Sequence, residues 1–377
     1  MESIPSRAIR AFDKPVKFGY APDTGSFVIH GTVNGQRVTV FGGPAALAQD
    51  ESDAASFDTS KLSVPEIVET LSSEFLLGKH MRHAEPFHQM IPVCVEGHGN
   101  EFILSDDELG DLALDALPTV HPFISKDAAR ENLAVVSLQM RDGTTDLVST
   151  DGHRLQVVGL IGAQSNFAEL EQDVEVAIPS KLLSTLKLSN CLQFDIGDRT
   201  CVMTCLSKEY DMLRIEWSSR NGKFPPWHGV VPDTDNPDVS HVEQHALQEW
   251  ASLPRGARKD DQRLYLLSRD DHPIPAFAVL DGTALIALSQ HASLEEIDGT
   301  EAYTGVNAKY AWELGKLLKK VPEEDIALFF NFENNNTGPL RIDWAQGDLT
   351  YTHVLMPMRD APGEWLRREE INEEENV

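Results

Sequence analysis

The stretch Ser149-Thr150-Asp151-Gly152-His153-Arg154-Leu155 carries the strongest fold signal in the sequence. Leu147-Val148 precedes it and Val157-Val158 follows it, so the pattern predicts two short strands around a turn. Asp-Gly favours such a turn because glycine reaches positive φ without steric cost. The turn would present a histidine beside an arginine. Three interpretations follow from these residue types: a catalytic Asp/His pair, a salt-bridged structural turn, or part of a binding edge.

Length and charge limit the possible classes of protein. A chain of 377 residues predicts two or three domains of roughly 100–150 residues each. Its 32 basic and 60 acidic residues give a formal net charge of −28, which repels nucleic acid in bulk. A DNA-binding role would therefore require the basic residues to gather on one surface. The sequence has no apolar run of about 20 residues and no signal-peptide pattern, so we expect a cytoplasmic protein that binds no membrane.

Short alternating segments separated by turn residues fill most of the chain, and shifts in composition divide it into four parts. The last part is strongly acidic, and we expect it to be disordered. The four parts are a divergent N-terminal domain (1–92), a middle domain (93–234), a C-terminal domain (235–360) and the acidic tail (361–377).

Several local signals locate helix starts and hairpins. Ser6 is placed to cap a short first helix, and Asn34-Gly35 between two alternating runs predicts a hairpin. Ser105 and Glu108 fit a capping box ahead of a second helix. In the C-terminal domain the apolar spacing predicts a helix over Val242–Leu253.

The cysteines and histidines do not form a recognisable ligand set. Cys201 and Cys205 fall on one face of a predicted strand, which favours buried, reduced thiols. His80 and His83 could lie one helical turn apart, but no third ligand has suitable spacing. We therefore expect neither a metal nor a cofactor.

Three segments share one layout. Ile4-Pro5-Ser6-Arg7, Ile178-Pro179-Ser180-Lys181 and Val306-Asn307-Ala308-Lys309 each open a short helix with basic residues, and three strands follow each helix. Such a repeat predicts copies stacked side by side. If the helices line one surface, their charges suit contact with a phosphate backbone without sequence readout, whereas ordinary solvated helix faces are the alternative. The candidate residues are Arg7, Arg10, Lys14, Lys181, Lys187, Arg255, Arg258, Lys309, Lys316, Lys319 and Lys320.

Four motifs occur in a fixed order along the chain. The opening stretch is followed by Gly222-Lys223-Phe224-Pro225 with Val230-Val231-Pro232, then by Val306-Asn307-Ala308-Lys309-Tyr310, and finally by Val354-Leu355-Met356-Pro357-Met358-Arg359. These four motifs resemble those of the bacterial DNA polymerase III beta subunit, or beta sliding clamp. In that family they read A-T-D-G-H-R-L, G-K-F-P-D-Y-x-x-V-I-P, V-N-x-x-Y and V-M-P-M-R. The resemblance covers about residues 93–359.

The resemblance implies an α+β fold of repeated DNA-clamp domains, with helices lining a central channel and antiparallel sheets outside. It implies a ring, closed by head-to-tail homodimerisation, that encircles double-stranded DNA and raises polymerase processivity without being an enzyme. DNA polymerase and the clamp loader would dock short peptides in a pocket between the middle and C-terminal domains. Carried over, that pocket comprises Leu133, Thr150, Gly152, His153, Arg154, Leu155, Pro225, Val230, Asn307, Tyr310, Val354, Leu355, Met356, Pro357, Met358 and Arg359.

The N-terminal part departs from the family pattern. Residues 1–92 do not show the family's first domain in order, because the first helix and its strands resemble the second half of a clamp domain. We expect a divergent clamp-like domain: either its first half is missing (a half-repeat), or residues 61–92 supply that half in permuted order, or the module is a different one. The number of domains per ring, and so a dimer or a trimer, stays open, and the divergence would suit a phage- or plasmid-encoded clamp. The alternative function is a clamp-fold adaptor or decoy that binds peptides without closing a ring. A hydrolase based on Asp151 and His153 is disfavoured because no nucleophile-elbow, P-loop or metal-ligand motif accompanies them.

Overall fold

The computed structural model describes sixteen stretches of the chain. Predictions for Arg359 and the acidic tail lie outside the described residues, as do those for His80 and His83. The described residues are 4–21, 26–42, 102–127, 129–161, 173–197, 199–207, 212–219, 223–234, 239–242, 247–259, 262–269, 272–281, 284–288, 301–322, 326–331 and 338–358.

The chain forms two compact units. The first comprises Met1–Asp151 and Val157–Pro225, and the second comprises Gly152–Gln156 and Pro226–Val377. The second unit therefore includes five residues of the opening stretch and its extension. Within the described residues, no helix is long and apolar enough to cross a membrane.

The first unit is built from short helices that are each followed by strands. Its N-terminal elements are α1 (Ile4–Ala11), β1 (Asp13–Ala21), β2 (Ser26–Val33) and β3 (Gln36–Gly42). The elements that follow are β4 (Phe102–Ser105), α2 (Asp107–Val120), β5 (Val136–Arg141), β6 (Thr144–Thr150), β7 (Arg154–Leu160), β8 (Val174–Ile178), α3 (Ser180–Leu186), β9 (Leu188–Gly197), β10 (Thr200–Ser207) and β11 (Met212–Ser218).

One sheet of this unit joins the two ends of its sequence. Its order is β1-β2-β3-β11-β10-β9-β4, and β3 pairs antiparallel with β11. Side-chain amides strengthen the junction: Asn34 Nδ2 donates to the carbonyl of Ala134 at 2.6 Å, and Gln36 Nε2 donates to that of Ala177 at 2.7 Å. The predicted hairpin at Asn34-Gly35 is confirmed, with φ of 52° and 80°. Residues 36–42 thus belong to the fold of the middle part of the chain.

The second group of strands in this unit has the order β7-β6-β5-β8. The unit's core centres on Trp217, which is 1% exposed and stacks on Phe194 at 5.9 Å between ring centroids. Its indole nitrogen donates to the carbonyl of Ala177 at 2.8 Å, so its polar atom is satisfied.

The predicted buried thiols are confirmed for the three described cysteines. Cys191, Cys201 and Cys205 are free and buried. Burial raises the pKa of Cys191 and of Cys201 to about 12, and it also raises the pKa of Cys205. These side chains therefore act as small apolar groups in the sheet.

The second unit contains one described α-helix and eight described strands, in addition to the start of β7. One sheet has the order β15-β14-β13-β16, and another has the order β12-β17-β18-β19 followed by the start of β7. The elements are β12 (Val239–Val242), β13 (Arg263–Arg269), β14 (His272–Asp281), β15 (Ala284–Leu288), β16 (Glu301–Asn307), α4 (Ala308–Leu318), β17 (Ile326–Asn331), β18 (Leu340–Gln346) and β19 (Leu349–Leu355).

Helix α4 packs closely on a short 3-10 helix, Gln248–Ser252. A Cβ atom added at Gly315 would lie 2.5 Å from the backbone nitrogen of Ala251, so only glycine permits this approach. Trp250, fully buried, lies at the same contact. This packing fixes the position of α4 within the unit.

Three local predictions were wrong. The helix expected over Val242–Leu253 is wrong at the residues that the structure describes: Val242 ends β12, which pairs with β17, and Gln248–Ser252 forms a 3-10 helix. The N-cap of α2 is Asp106 rather than Ser105, and its carboxylate accepts from the Leu109 N–H at 3.0 Å. Ser6 lies inside the first turn of α1 rather than before it.

Candidate functional site

The start of β7 lies against residues Met356–Met358 in the second unit. We name Gly152–Gln156 the Gly152 loop and Met356–Met358 the C-terminal segment. The Met356 N–H donates to the carbonyl of His153 at 2.9 Å, and the Met358 N–H donates to that of Gly305 at 2.8 Å. Gly152 has φ +90°, as the predicted turn requires. Both methionine side chains are half-buried and so partly available to a ligand.

Arg154 links the Gly152 loop to helix α4. Its guanidinium donates to the carboxylate of Glu313 and lies 4.3 Å from the centroid of the Tyr310 ring. The His153 ring also lies beside Tyr310, with centroids 6.3 Å apart. Arg154 is only 5% exposed. The residue therefore orients the loop, and the expectation that its side chain meets a partner directly is not supported by its burial.

A second contact under the loop is fully buried. His353 Nδ1 lies 2.8 Å from Gln156 Oε1, which accepts a hydrogen bond from the imidazole. The pKa of His353 is lowered to about 3, mainly by burial and secondly by the positive charge of Arg154. A neutral imidazole is therefore built into the sheet beneath the Gly152 loop.

The start of α4 completes this group of residues. Asn307 is the N-cap, and its side-chain oxygen accepts from the N–H groups of Lys309 at 2.9 Å and Tyr310 at 3.3 Å. The cap sets the direction of the first helical turn, which places Tyr310 over Arg154. Residues from positions 152, 307 and 356 thus meet although more than 150 residues separate the first two.

The remaining predicted pocket residues divide into three sets. Thr150, Leu133 and Pro225 belong to the first unit. Leu155, Val354 and Leu355 are buried in the second unit, where they support the strands, whereas Val230 is 39% exposed. Arg359 lies outside the described residues. The pocket assignment stays a prediction.

The predicted DNA-facing residues differ in exposure. Arg7 is only 7% exposed, so it offers little surface to a ligand, and this prediction is not supported. Arg10 and Lys187 are exposed, and Lys181 lies 3.9 Å from the carboxylate of Asp13. The side chain of Lys14 lies outside the described part of the structure. The exposed members of the second unit are Arg255, Lys316, Lys319 and Lys320, with Arg258 and Lys309 half-buried.

Two residues of α4 contribute to these contacts but were not predicted from the sequence. Glu313, which holds Arg154, lies 159 residues away along the chain, and nothing in the sequence connects them. Trp312 could have been found from its helical spacing, since it lies three residues after Lys309 and four before Lys316. Among the described residues, no three His, Cys, Asp or Glu side chains are grouped as metal ligands.

The comparisons with known proteins give no match to any protein-family model and none to the curated proteins. Solved structures do match. A DNA polymerase sliding clamp from Pseudomonas aeruginosa has a TM-score of 0.53 at 13% identity, covering 95% of this chain and 98% of that chain. The DNA polymerase III beta subunit of Thermotoga maritima gives 0.51 at 14% identity, with coverages of 94% and 96%.

A third similar structure is the DNA polymerase III beta subunit of Borrelia burgdorferi, with a TM-score of 0.51 at 16% identity. The match covers 70% of this chain and 64% of that chain, so it spans less than two thirds of the Borrelia protein. At sequence identities this low, structural similarity establishes the fold but not the activity. The chain has the α+β fold of the bacterial DNA polymerase III beta subunit, the sliding clamp.

Proposed function

We propose that this chain is a DNA sliding clamp, a non-catalytic ring that encircles duplex DNA and tethers a polymerase and other partners. The observation that carries the proposal is the meeting of the Gly152 loop, the C-terminal segment and the start of α4 in one unit. These are three of the four motifs that resemble the clamp family. Their contacts are made by backbone groups and buried polar pairs, which suits a preformed docking surface.

Peptide docking fits the chemistry of this surface. Met356 and Met358 are partly exposed, and flexible thioether side chains adapt to varied apolar partners. Backbone groups near an extended segment can orient a bound peptide. The Helicobacter pylori beta clamp, which has a TM-score of 0.51 to this chain at 14% identity, has been solved bound to a DNA ligase peptide. We propose the same kind of ligand here, from the polymerase, the clamp loader and other partners.

Contact with DNA would be weak and independent of sequence. The exposed basic residues Lys316 in α4, Lys319 and Lys320 just after it, and Arg255 stand out on a chain of net charge −28. Phosphate contacts of this kind position a duplex without reading bases, and a topological grip needs no tight binding. The ring would form in the cytoplasm by head-to-tail association, as a dimer or a trimer.

The test has two parts. Negative-stain electron microscopy of the purified protein should show closed rings, and their domain count would decide between a dimer and a trimer. The loaded protein should raise polymerase processivity on circular primed DNA but should slide off linear DNA. A protein that stays monomeric at micromolar concentration and cannot be loaded would contradict the clamp. Peptide binding without rings would instead support the non-closing adaptor.

A further inference from the structure

Helix α4 and its C-cap residue Lys319 carry a stripe of basic residues interrupted by one aromatic residue. Lys309, Trp312, Lys316 and Lys319 follow each other at spacings of three and four residues, and Lys319 keeps helical backbone angles, so the four share one face of the helix. Trp312 is half-buried, and Lys316 and Lys319 are exposed. We name these four residues the α4 stripe.

The ring of Trp312 holds two cations. Arg258 Cζ lies 4.5 Å from the ring centroid, and Lys316 Nζ lies 4.4 Å from it. Both distances are within the range of cation–π attraction, for which tryptophan is the strongest partner. The Arg258 Nε–H also donates to the carbonyl of Leu253. The guanidinium is therefore fixed from two sides before any ligand arrives.

These charges are not neutralised within the described part of the chain. Neither Arg258 nor Lys316 forms an ion pair with a described carboxylate, and Arg255, Lys319 and Lys320 are exposed nearby in sequence. The one acidic residue of α4, Glu313, is engaged by Arg154. A concentration of positive charge on so acidic a chain indicates a surface that receives an anion.

We propose that Trp312 is a platform that orders Arg258 and Lys316 for contact with the phosphates of a duplex DNA backbone. A single strand would be expected to stack its bases on the ring, but two cations already lie within 4.5 Å of the ring centroid and compete for that position. A duplex keeps its bases paired and presents phosphates, which the two cations can contact without leaving the ring. This inference rests on the proposed function, because it assigns the DNA contact of the clamp.

The experiment measures binding of a fluorescein-labelled 20-base-pair duplex to the full-length protein by anisotropy across a range of salt concentrations. Trp312→Ala should weaken binding at low salt by about three- to tenfold with the salt slope unchanged, because both cations remain but lose their order. Trp312→Phe should restore most of the affinity. Lys316→Ala should reduce the slope by about 0.9, the loss of one phosphate contact, whereas Lys223→Ala at an exposed site of the first unit should not.

Two outcomes would overturn the inference. One is a duplex affinity that Trp312→Ala leaves unchanged in a folded variant, with folding checked by thermal unfolding. The other is a loss that is larger for a single-stranded 20-mer than for the duplex, which would indicate base stacking. Failure of the proposed function is distinguishable, because it would appear as absent rings and absent loading while the Trp312 effect on duplex affinity persists.

Discussion

Arg154 is the residue that joins the Gly152 loop to helix α4. Its guanidinium is 5% exposed, whereas the side chain of Glu313 remains 29% exposed, so the pair stabilises one geometry rather than adding much net stability. Removing Glu313 would leave the Arg154 charge buried. The arrangement therefore fixes the orientation of the loop that presents the His153 carbonyl to the C-terminal segment.

His353 makes the second unit sensitive to acid. Its pKa in the folded protein is about 3, below the ordinary value of 6.5, so between these pH values the unfolded chain binds a proton at His353 and the folded chain does not. The stability from this group is complete above pH 6.5 and is lost as the pH falls below it. Between pH 7.5 and 5.5 the expected loss is about 1.4 kcal/mol of unfolding free energy.

Urea unfolding at the two pH values, comparing the wild type with His353→Gln, measures this contribution. The substituted protein should lose about 1.4 kcal/mol less than the wild type on acidification. His228→Gln, at an exposed site of the same unit, is the control and should behave as the wild type. Equal pH dependence of the wild type and His353→Gln would contradict the role of His353.

The two half-buried methionines of the C-terminal segment are predicted to contribute to peptide binding more than to folding. Met356→Ala combined with Met358→Ala should weaken binding of a clamp-binding peptide by at least about tenfold, since each Met can bury apolar surface against the ligand. Anisotropy titration gives the affinity, and thermal unfolding gives the stability. Met203→Ala, in the core of the first unit, is the control: it should lower stability and leave peptide affinity intact. An unchanged peptide affinity in the folded double variant would refute the pocket assignment.

At the scale of elements, α4 combines two roles on different faces. Tyr310 and Glu313 contact the Gly152 loop, while the α4 stripe carries Trp312 and the lysines. Gly315 brings the helix against the 3-10 helix Gln248–Ser252. The position of this one helix therefore determines both the proposed peptide surface and the proposed DNA surface.

Asn307 is predicted to set the stability of α4 through its cap. Asn307→Ala removes the acceptor for the Lys309 and Tyr310 N–H groups and should cost about 1 kcal/mol of unfolding free energy. Asn307→Asp keeps an acceptor and places a negative charge at the helix N-terminus, so it should restore the loss. Denaturant unfolding of the three proteins measures the difference. An alanine variant as stable as the wild type would show that the cap contributes little.

The sequence predicted strands and tight turns well because both depend on local signals. The Asn34-Gly35 hairpin and the strands on either side of Asp151-Gly152 are decided within a few residues. The helix expected over Val242–Leu253 was wrong at its first residue because Val242 pairs with Leu328 of β17, a contact distant in sequence that no local spacing shows. The candidate site was likewise predictable only where the signal is local. The four motifs identified the Gly152 loop and the C-terminal segment from the sequence. The Arg154–Glu313 pair could not be predicted, because it is a contact between residues 159 positions apart.

At the scale of the molecule, residues 4–21 and 26–42 are part of the structural frame of the first unit. Strand β3 covers the edge of β11, and Asn34 and Gln36 are bonded to backbone carbonyls of the middle part of the chain. An uncovered edge strand is a template for pairing between molecules. The N-terminal strands therefore also protect the solubility of the unit.

Deletion of residues 1–42 should cause aggregation. The deletion exposes the edge of β11 and removes the hydrogen bonds of Gln36 to Ala177 and Ser218. Size-exclusion chromatography and thioflavin-T fluorescence should show aggregates, whereas deletion of residues 1–3 alone should leave the protein monodisperse. A monodisperse, folded protein lacking residues 1–42 would contradict this prediction.

The pairing of β3 with β11 also constrains how the chain folds during synthesis. Strand β3 ends at Gly42 and β11 begins at Met212, so 170 residues (212 − 42) must be added before the two can meet. At roughly 5–20 residues per second, the ribosome needs about 8–34 seconds for that stretch. During this delay the backbone N–H and C=O groups of β3 that later pair with β11 have no strand to pair with. We therefore expect the nascent chain to depend on chaperones more than a chain of the same size whose sheets form from consecutive strands.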